Sequence, residues 1–257
     1  MTAITTKNIT LPKEVAQQVV TKARDTSTIA ALSPSTPMLF KDMTHVLFSK
    51  EPEAEFVGEG AQKSASDAEF TAVQGEIHKA QVTVRLSDEV KWADEDSQIG
   101  IIDAIVDASS AAIGRALDYG IFHAINPSTG TAASGMTALT AGANQVTATT
   151  DASADLDSLV AAVNESYDVD GIAAATSGTV NGALAKTATN VLAILGAFGL
   201  IKWGIVRDLG LDVIETGDPD GLGDLKRLNQ VAYRTEVAYS WAVLDPKGFA
   251  VLKSASA

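Results

Sequence analysis

The spacing of apolar positions changes character several times along this chain, and each change predicts a different element. Near the start, Pro12 followed by Val15, Val19 and Val20 gives one apolar stripe at helical spacing, with proline in the first turn, so 12–24 reads as a helix. Residues 25–37 lose that periodicity and carry three serines with Pro34 and Pro37, the composition of an extended, externally held arm. From Phe40 to Lys91 the period becomes two. Met43, Val46 and Phe48, then Phe56, then Phe70 and Val73, and finally Val82, Val84 and Leu86 predict strands, with Gln81, Thr83, Arg85 and Ser87 on the alternate face. Between them lies a polar tip, GEGAQKSASD, at 58–67. A long hairpin of this kind is marginal in water by itself, so it must lie on something.

Asp94, Glu95, Asp96 and Ser97 suit a helix start, because carboxylates and hydroxyls satisfy the free amides and the positive dipole end. Ile99, Ile102, Ile105, Val106, Ile113, Leu117 and Ile121 then recur at threes and fours up to Asn126-Pro127. They predict one helix of roughly 28 residues and about 40 Å. Residues 126–155 are rich in Ser, Thr, Gly and Ala and read as loops with short strands, after which Asp155 opens a helix carrying Leu156, Leu159, Val160 and Val163. The run VLAILGAFGLI at 191–201 is about half of the ~20 residues a membrane-spanning helix needs and reads as core. WGIVRDLGLDVI at 203–214 and NQVAYRTEVAYSWAVL at 229–244 flank a loop, GDPDGLGD, and the second is strongly strand-like. Residues 253–257 read as a disordered tail.

Composition narrows the function. The 257 residues are 46% hydrophobic and contain no cysteine, which removes disulfide scaffolds, zinc–thiolate sites and cysteine nucleophiles. A formal charge of −13 argues against a surface built to grip phosphates, although the arm, with Lys7, Lys13, Lys22 and Arg24 against Glu14 and Asp25, is itself basic. No secretory signal or membrane span is predicted, which points to a cytoplasmic site of synthesis. His45, His78 and His123 stand in three different elements without metal-ligand spacing, and read as surface or packing residues. No GxxxxGK and no GxSxG occurs. Asp218, Asp220 and Asp224 could open a calcium loop, but Asn229 stands where a bidentate glutamate would close it, so a Pro-Gly turn explains the segment better. The carboxylate pairs Glu51 with Glu53 and Glu59 with Glu69 have no fixed separation and read as solvated charges. No catalytic residue, metal ligand or cofactor-binding residue emerges.

The order of elements carries more information than any site. Three segments stand out: PEAEFVGEGAQKSASDAEF at 52–70, IHKAQVTVRLSDEVKWADED at 77–96, and GDPDGLGDLKRLNQVAYRTEVAYSWAVLDPKGFAVLK at 217–253, with its Pro-x-x-Phe. In this order they resemble the major capsid protein of tailed bacteriophages, whose fold is named after phage Hong Kong 97. The resemblance implies an α+β fold of that type. It places an N-terminal arm at 1–40, a peripheral-domain strand at 41–48 and an extended β-hairpin loop at 49–84. The peripheral domain continues over 85–150 with a long spine helix at 96–125, a short axial domain covers 151–228, and return strands with the tail fill 229–257. Residues 171–201 hold a space where relatives run longer, which makes the axial domain short.

The resemblance further implies a structural protein and not an enzyme, without cofactor. Its copies would form pentamers and hexamers that close an icosahedral shell around double-stranded DNA, enclosed without sequence preference. Portal and scaffolding proteins are the implied partners, a decoration protein is a candidate reinforcement, and no membrane is involved. The implied location is the virion capsid, assembled in the host cytoplasm. Met1 begins almost at the arm, so no proteolytic removal of a leading segment is expected, and scaffolding would be separate or unnecessary. Lys63 lies in the loop tip, yet Thr71 and Ala72 follow Phe70 where some relatives carry a cross-linking lysine, so non-covalent contacts are expected. The expected intersubunit contacts are Phe56, Val57, Glu59, Lys63 and Phe70 in the loop, with the aromatics as anchors. Arg85, Glu89, Arg207 and Arg234 are expected as salt-bridge partners between subunits. Two other readings stay open: an encapsulin-type compartment with the same fold, and a soluble small-molecule enzyme or binding protein with a concave pocket.

Overall fold

A computed structural model describes residues 26–34, 43–50, 54–60, 62–65, 69–92, 95–163, 167–174, 180 and 190–255. The helix expected over 12–24 lies outside the described residues. Two four-stranded sheets share one core. The first has the order β1-β2-β7-β6, from β1 (Met43–Lys50), β2 (Glu69–Ser87), β7 (Gln230–Val243) and β6 (Ile201–Ile214), all antiparallel. In the second, β3 (Asn144–Thr147) runs parallel to β8 (Phe249–Lys253), and β5 (Val191–Gly196) and β4 (Gly171–Ala174) follow antiparallel.

The long helix, α2 (Glu95–His123), is 29 residues, about 44 Å. Its buried positions Val106, Ile113, Leu117 and Ile121 follow the predicted three-and-four spacing and meet Val237, Tyr239 and Trp241 of β7 in the main core. The helix stops where Ala124 takes a left-handed conformation, φ 52°, which ends the repeating hydrogen-bond ladder. A smaller cluster packs α3 (Ala152–Ala162) on the second sheet through Leu159, Val163, Leu195 and Ala250. The run at 191–201 is core: Ile194 and Phe198 are fully buried, and Phe198 meets Phe249 edge to face at 5.5 Å. Among the described residues no helix is long and apolar enough to cross a membrane.

Three local expectations are corrected. The stretch expected to be extended and externally held contains a short helix, α1 (Thr28–Leu32), whose Ile29 is fully buried. Asp118 of α2 causes this: its buried carboxylate accepts from Ser27 Oγ at 2.6 Å, Thr28 N at 2.9 Å and Ile29 N at 3.1 Å, capping the turn from another element. Ser33 then accepts from Trp203 Nε1 at 2.9 Å through its carbonyl and donates to Ile201 O at 2.8 Å. The helix expected to open at Asp155 starts at Ala152, because Asp151 takes the N-cap, while Asp155 turns inward to accept from Thr149 N and Oγ1. Lys253 is not in a loose tail. It completes β8, between β3 and β5, and Ser254 N donates to Asn190 O at 2.7 Å.

Candidate assembly surface

The pairing of β2 builds the surface. Its first residues, Glu69 to Gly75, pair with β1 alone, and from Glu76 to Ser87 the strand pairs with β7. The β1–β2 ribbon therefore runs past the end of β7. Along its β2 side nearly every residue is exposed up to the buried Gly75, so neither face is covered. The ribbon and its tip nevertheless carry large apolar side chains: Val46 is 62% exposed, Phe70 63%, and Phe56 wholly exposed. Val57 is partly exposed, and Glu59 and Lys63 stand in solvent on the tip. The tip is closed on itself by Glu55, which accepts from Ser64 N at 2.8 Å and Ser64 Oγ at 2.5 Å. Those bonds hold the Glu55 carboxyl below its usual range. The five loop residues named from sequence thus share one projecting feature.

The charged residues are placed differently. Arg85 is 10% exposed and is spent within the chain. Its guanidinium donates to both oxygens of Asp220, to Asp218 Oδ1 at 3.0 Å, to Gly223 O at 2.9 Å and to Gln230 Oε1 at 3.1 Å. Two of the three carboxylates that a calcium reading would use, Asp218 and Asp220, are turned onto this cation, Asp224 instead accepts from Arg227 N at 3.0 Å, and the loop between β6 and β7 is pinned to β2. Hydrogen bonding to Arg85 lowers the Asp220 pKa, and Asp220 in turn raises that of Arg85. Arg234 also bonds internally, to Thr83 Oγ1 at 3.0 Å and to Pro219 O. Glu89 is exposed beyond the end of β2, and Arg207 lies on β6 with its side chain outside the described ones. Sequence reasoning did not find the partners of Arg85, because the aspartates lie over 130 residues away and only the β2–β7 register brings them close.

The histidines behave as packing groups. His78 stacks on Trp241 with ring centres 4.3 Å apart, and burial lowers its pKa against the opposing pull of Glu76. His45 is lowered by burial and then by Lys202, and His123 Nε2 meets Val180 O at 3.0 Å. Among the described residues no group of three or more His, Cys, Asp or Glu is placed to hold a metal ion.

An antiparallel sheet backed by one long helix, a second small sheet, and a projecting ribbon together define the Hong Kong 97-type capsid fold. Comparison with known proteins gives the family. The family model described as the phage capsid family matches residues 7–191, well over half of the chain, and the chain belongs to that family. A solved structure from Mycobacterium phage Ogopogo is 34% identical, covering 90% of this chain and 92% of its own, with a TM-score of 0.73. One from Gordonia phage Cozz is 29% identical, covering 90% and 87%, with a TM-score of 0.74. The capsid of a native GTA particle, at 14% identity and a TM-score of 0.53, shares the fold over 100% of this chain and 95% of its own. No curated protein matches. The chain is a phage capsid shell protein, a structural and not an enzymatic class. Among the readings left open by the sequence, this selects the phage shell.

Proposed function

We propose that copies of this chain self-assemble into pentamers and hexamers that close the icosahedral shell around double-stranded DNA. The observation that carries the reading is the uncovered ribbon: a subunit that leaves Val46, Phe56 and Phe70 in water on a two-stranded projection has left burial to a neighbour. Because the ribbon of each copy meets a different surface on the next, the contact is heterologous and closes by symmetry into rings. Phe56, Val57 and Phe70 supply the apolar anchors, and Glu59, Lys63 and Glu89 set register at the rim. Arg85 and Arg234 contribute indirectly, by holding the loop at 217–224 in place.

The −13 charge supports enclosure without tight binding, since a repulsive wall lets DNA slide during packaging. Portal and scaffolding proteins, and a decoration protein, complete the particle assembled in the host cytoplasm. The contacts are non-covalent, so mature particles should run as a single subunit band on a denaturing gel. Negative-stain microscopy with sedimentation of the protein, expressed alone and with its neighbouring genes, tests the reading. Closed shells are the expected result, and a compact monomer under both conditions would overturn it.

A further inference from the structure

The root of the ribbon lies between two histidines. β2 pairs with β1 up to Gly75 and with β7 from Glu76. Gly75 is buried at that switch, where a Cβ would lie 3.2 Å from both Ser240 Oγ and Trp241 O. His45 of β1 stands opposite Val73, on the ribbon side of the switch, and His78 of β2 stands opposite Tyr239, on the body side. Among the described residues β1 pairs with no strand but β2, so the line of the ribbon is set at this root.

Both imidazoles are placed to be neutral. His45 is half-buried, and its Nε2 is shut off from water without a hydrogen-bond partner. The charged group acting on it is Lys202 of β6, and the residue opposite it on β2 is the apolar Val73. An imidazolium there would set a second cation near an ammonium, in a place cut off from solvent. His78 is 14% exposed and lies on the Trp241 indole, which itself packs on α2 at Gly120. Around it stand Glu76 on its own strand, with 3.9 Å between Oε2 and Nε2, Tyr239 and Trp241 on β7, and Arg115 and Tyr119 on the α2 side of the groove that it lines. Glu76 is 67% exposed and therefore a screened counterion, while Arg115 opposes a further positive charge. Burial lowers both pKa values, and Lys202 lowers that of His45 further.

We propose that His45 and His78 make the ribbon root a proton-operated hinge, closed while both rings are neutral and released when they take up protons. Because both folded values lie below the ordinary 6.5, the closed root keeps its full stability above 6.5 and loses it as pH falls through 6.5 towards the lowered values. Side-chain titration in that window belongs to histidine, of which the chain has three, with no cysteine. The third, His123, ends α2 and meets Val180 O, away from the root, and so serves as a control. The hinge is a property of the single subunit and stands apart from the shell reading.

Amide hydrogen exchange of the unassembled subunit at about pH 7.5 and about pH 5.5, corrected for the intrinsic effect of pH, tests it. Residues 43–50 and 69–75 should lose protection in acid while the amides of 106–121 in α2 keep theirs. His45→Gln/His78→Gln should abolish that loss, and His123→Gln should leave it unchanged. An unchanged ribbon in the wild type, a loss that persists in the double variant, or one that His123→Gln removes would overturn the hinge. Magnetic resonance titration of the wild-type rings decides the matter even where the double variant does not fold. His45 and His78 should titrate below 6.5, with the ribbon amides shifting along the same curve. Titration at or above 6.5, or ribbon amides that do not follow, would overturn it equally.

Discussion

Gly120 shows how one residue sets the spacing between the helix and the sheet. A Cβ built there would lie 2.8 and 3.0 Å from ring carbons of Trp241, so the indole packs directly on the helix backbone. Gly120→Val should force Trp241 out of position and cost about 1–3 kcal/mol, the usual range for overpacking. Urea unfolding would show it as a lower midpoint at unchanged slope. Asp220 controls a different contact. Its carboxyl pKa is lowered chiefly by the Arg85 hydrogen bond, so its contribution to stability is full above the ordinary value of 3.8 and is lost as pH falls through the lowered folded value. Thermal unfolding of wild type and Asp220→Asn across pH should therefore show a gap at neutrality that closes in acid. Neither partnership was legible in the sequence: the GDPDGLGD turn was, but nothing local says that an arginine from β2 fills it.

At the scale of elements, the short helix α1 is held by another helix. Ser27, Thr28 and Ile29 all donate to Asp118, which is fully buried in α2, and Ile29 enters the main core. Asp118→Ala would take from those donors the carboxylate they share, a loss of about 2–3 kcal/mol. Limited proteolysis should find faster cleavage around 26–34 in that variant, with α2 itself intact. The long helix was legible to within two residues because three-and-four spacing of isoleucine and leucine is a local signal. The short helix was not. Five residues carry too little periodicity to announce a helix, and its stability comes from a carboxylate some 90 positions away.

At the scale of the whole molecule, the ribbon is the part that the single subunit does not stabilise. Phe56→Ser/Phe70→Ser should give a soluble subunit with the wild-type far-ultraviolet spectrum and thermal midpoint, because neither side chain is buried, but sedimentation should find no shells. Normal particles from this double variant would take the ribbon out of assembly. The sequence by itself determined the long elements and their order: alternation marked the hairpin, helical spacing marked the spine, and the segments at 52–70, 77–96 and 217–253 carried the resemblance to phage capsid proteins. These are readable because periodicity and turn chemistry act over a few residues. Only the tertiary structure decided that β2 splits its pairing between β1 and β7, that Arg85 and Arg234 are spent inside the chain, and that residues 78–83 of β2 border a groove beside α2. Those facts depend on strand register and on contacts between residues far apart in sequence, and no local pattern of side chains encodes either.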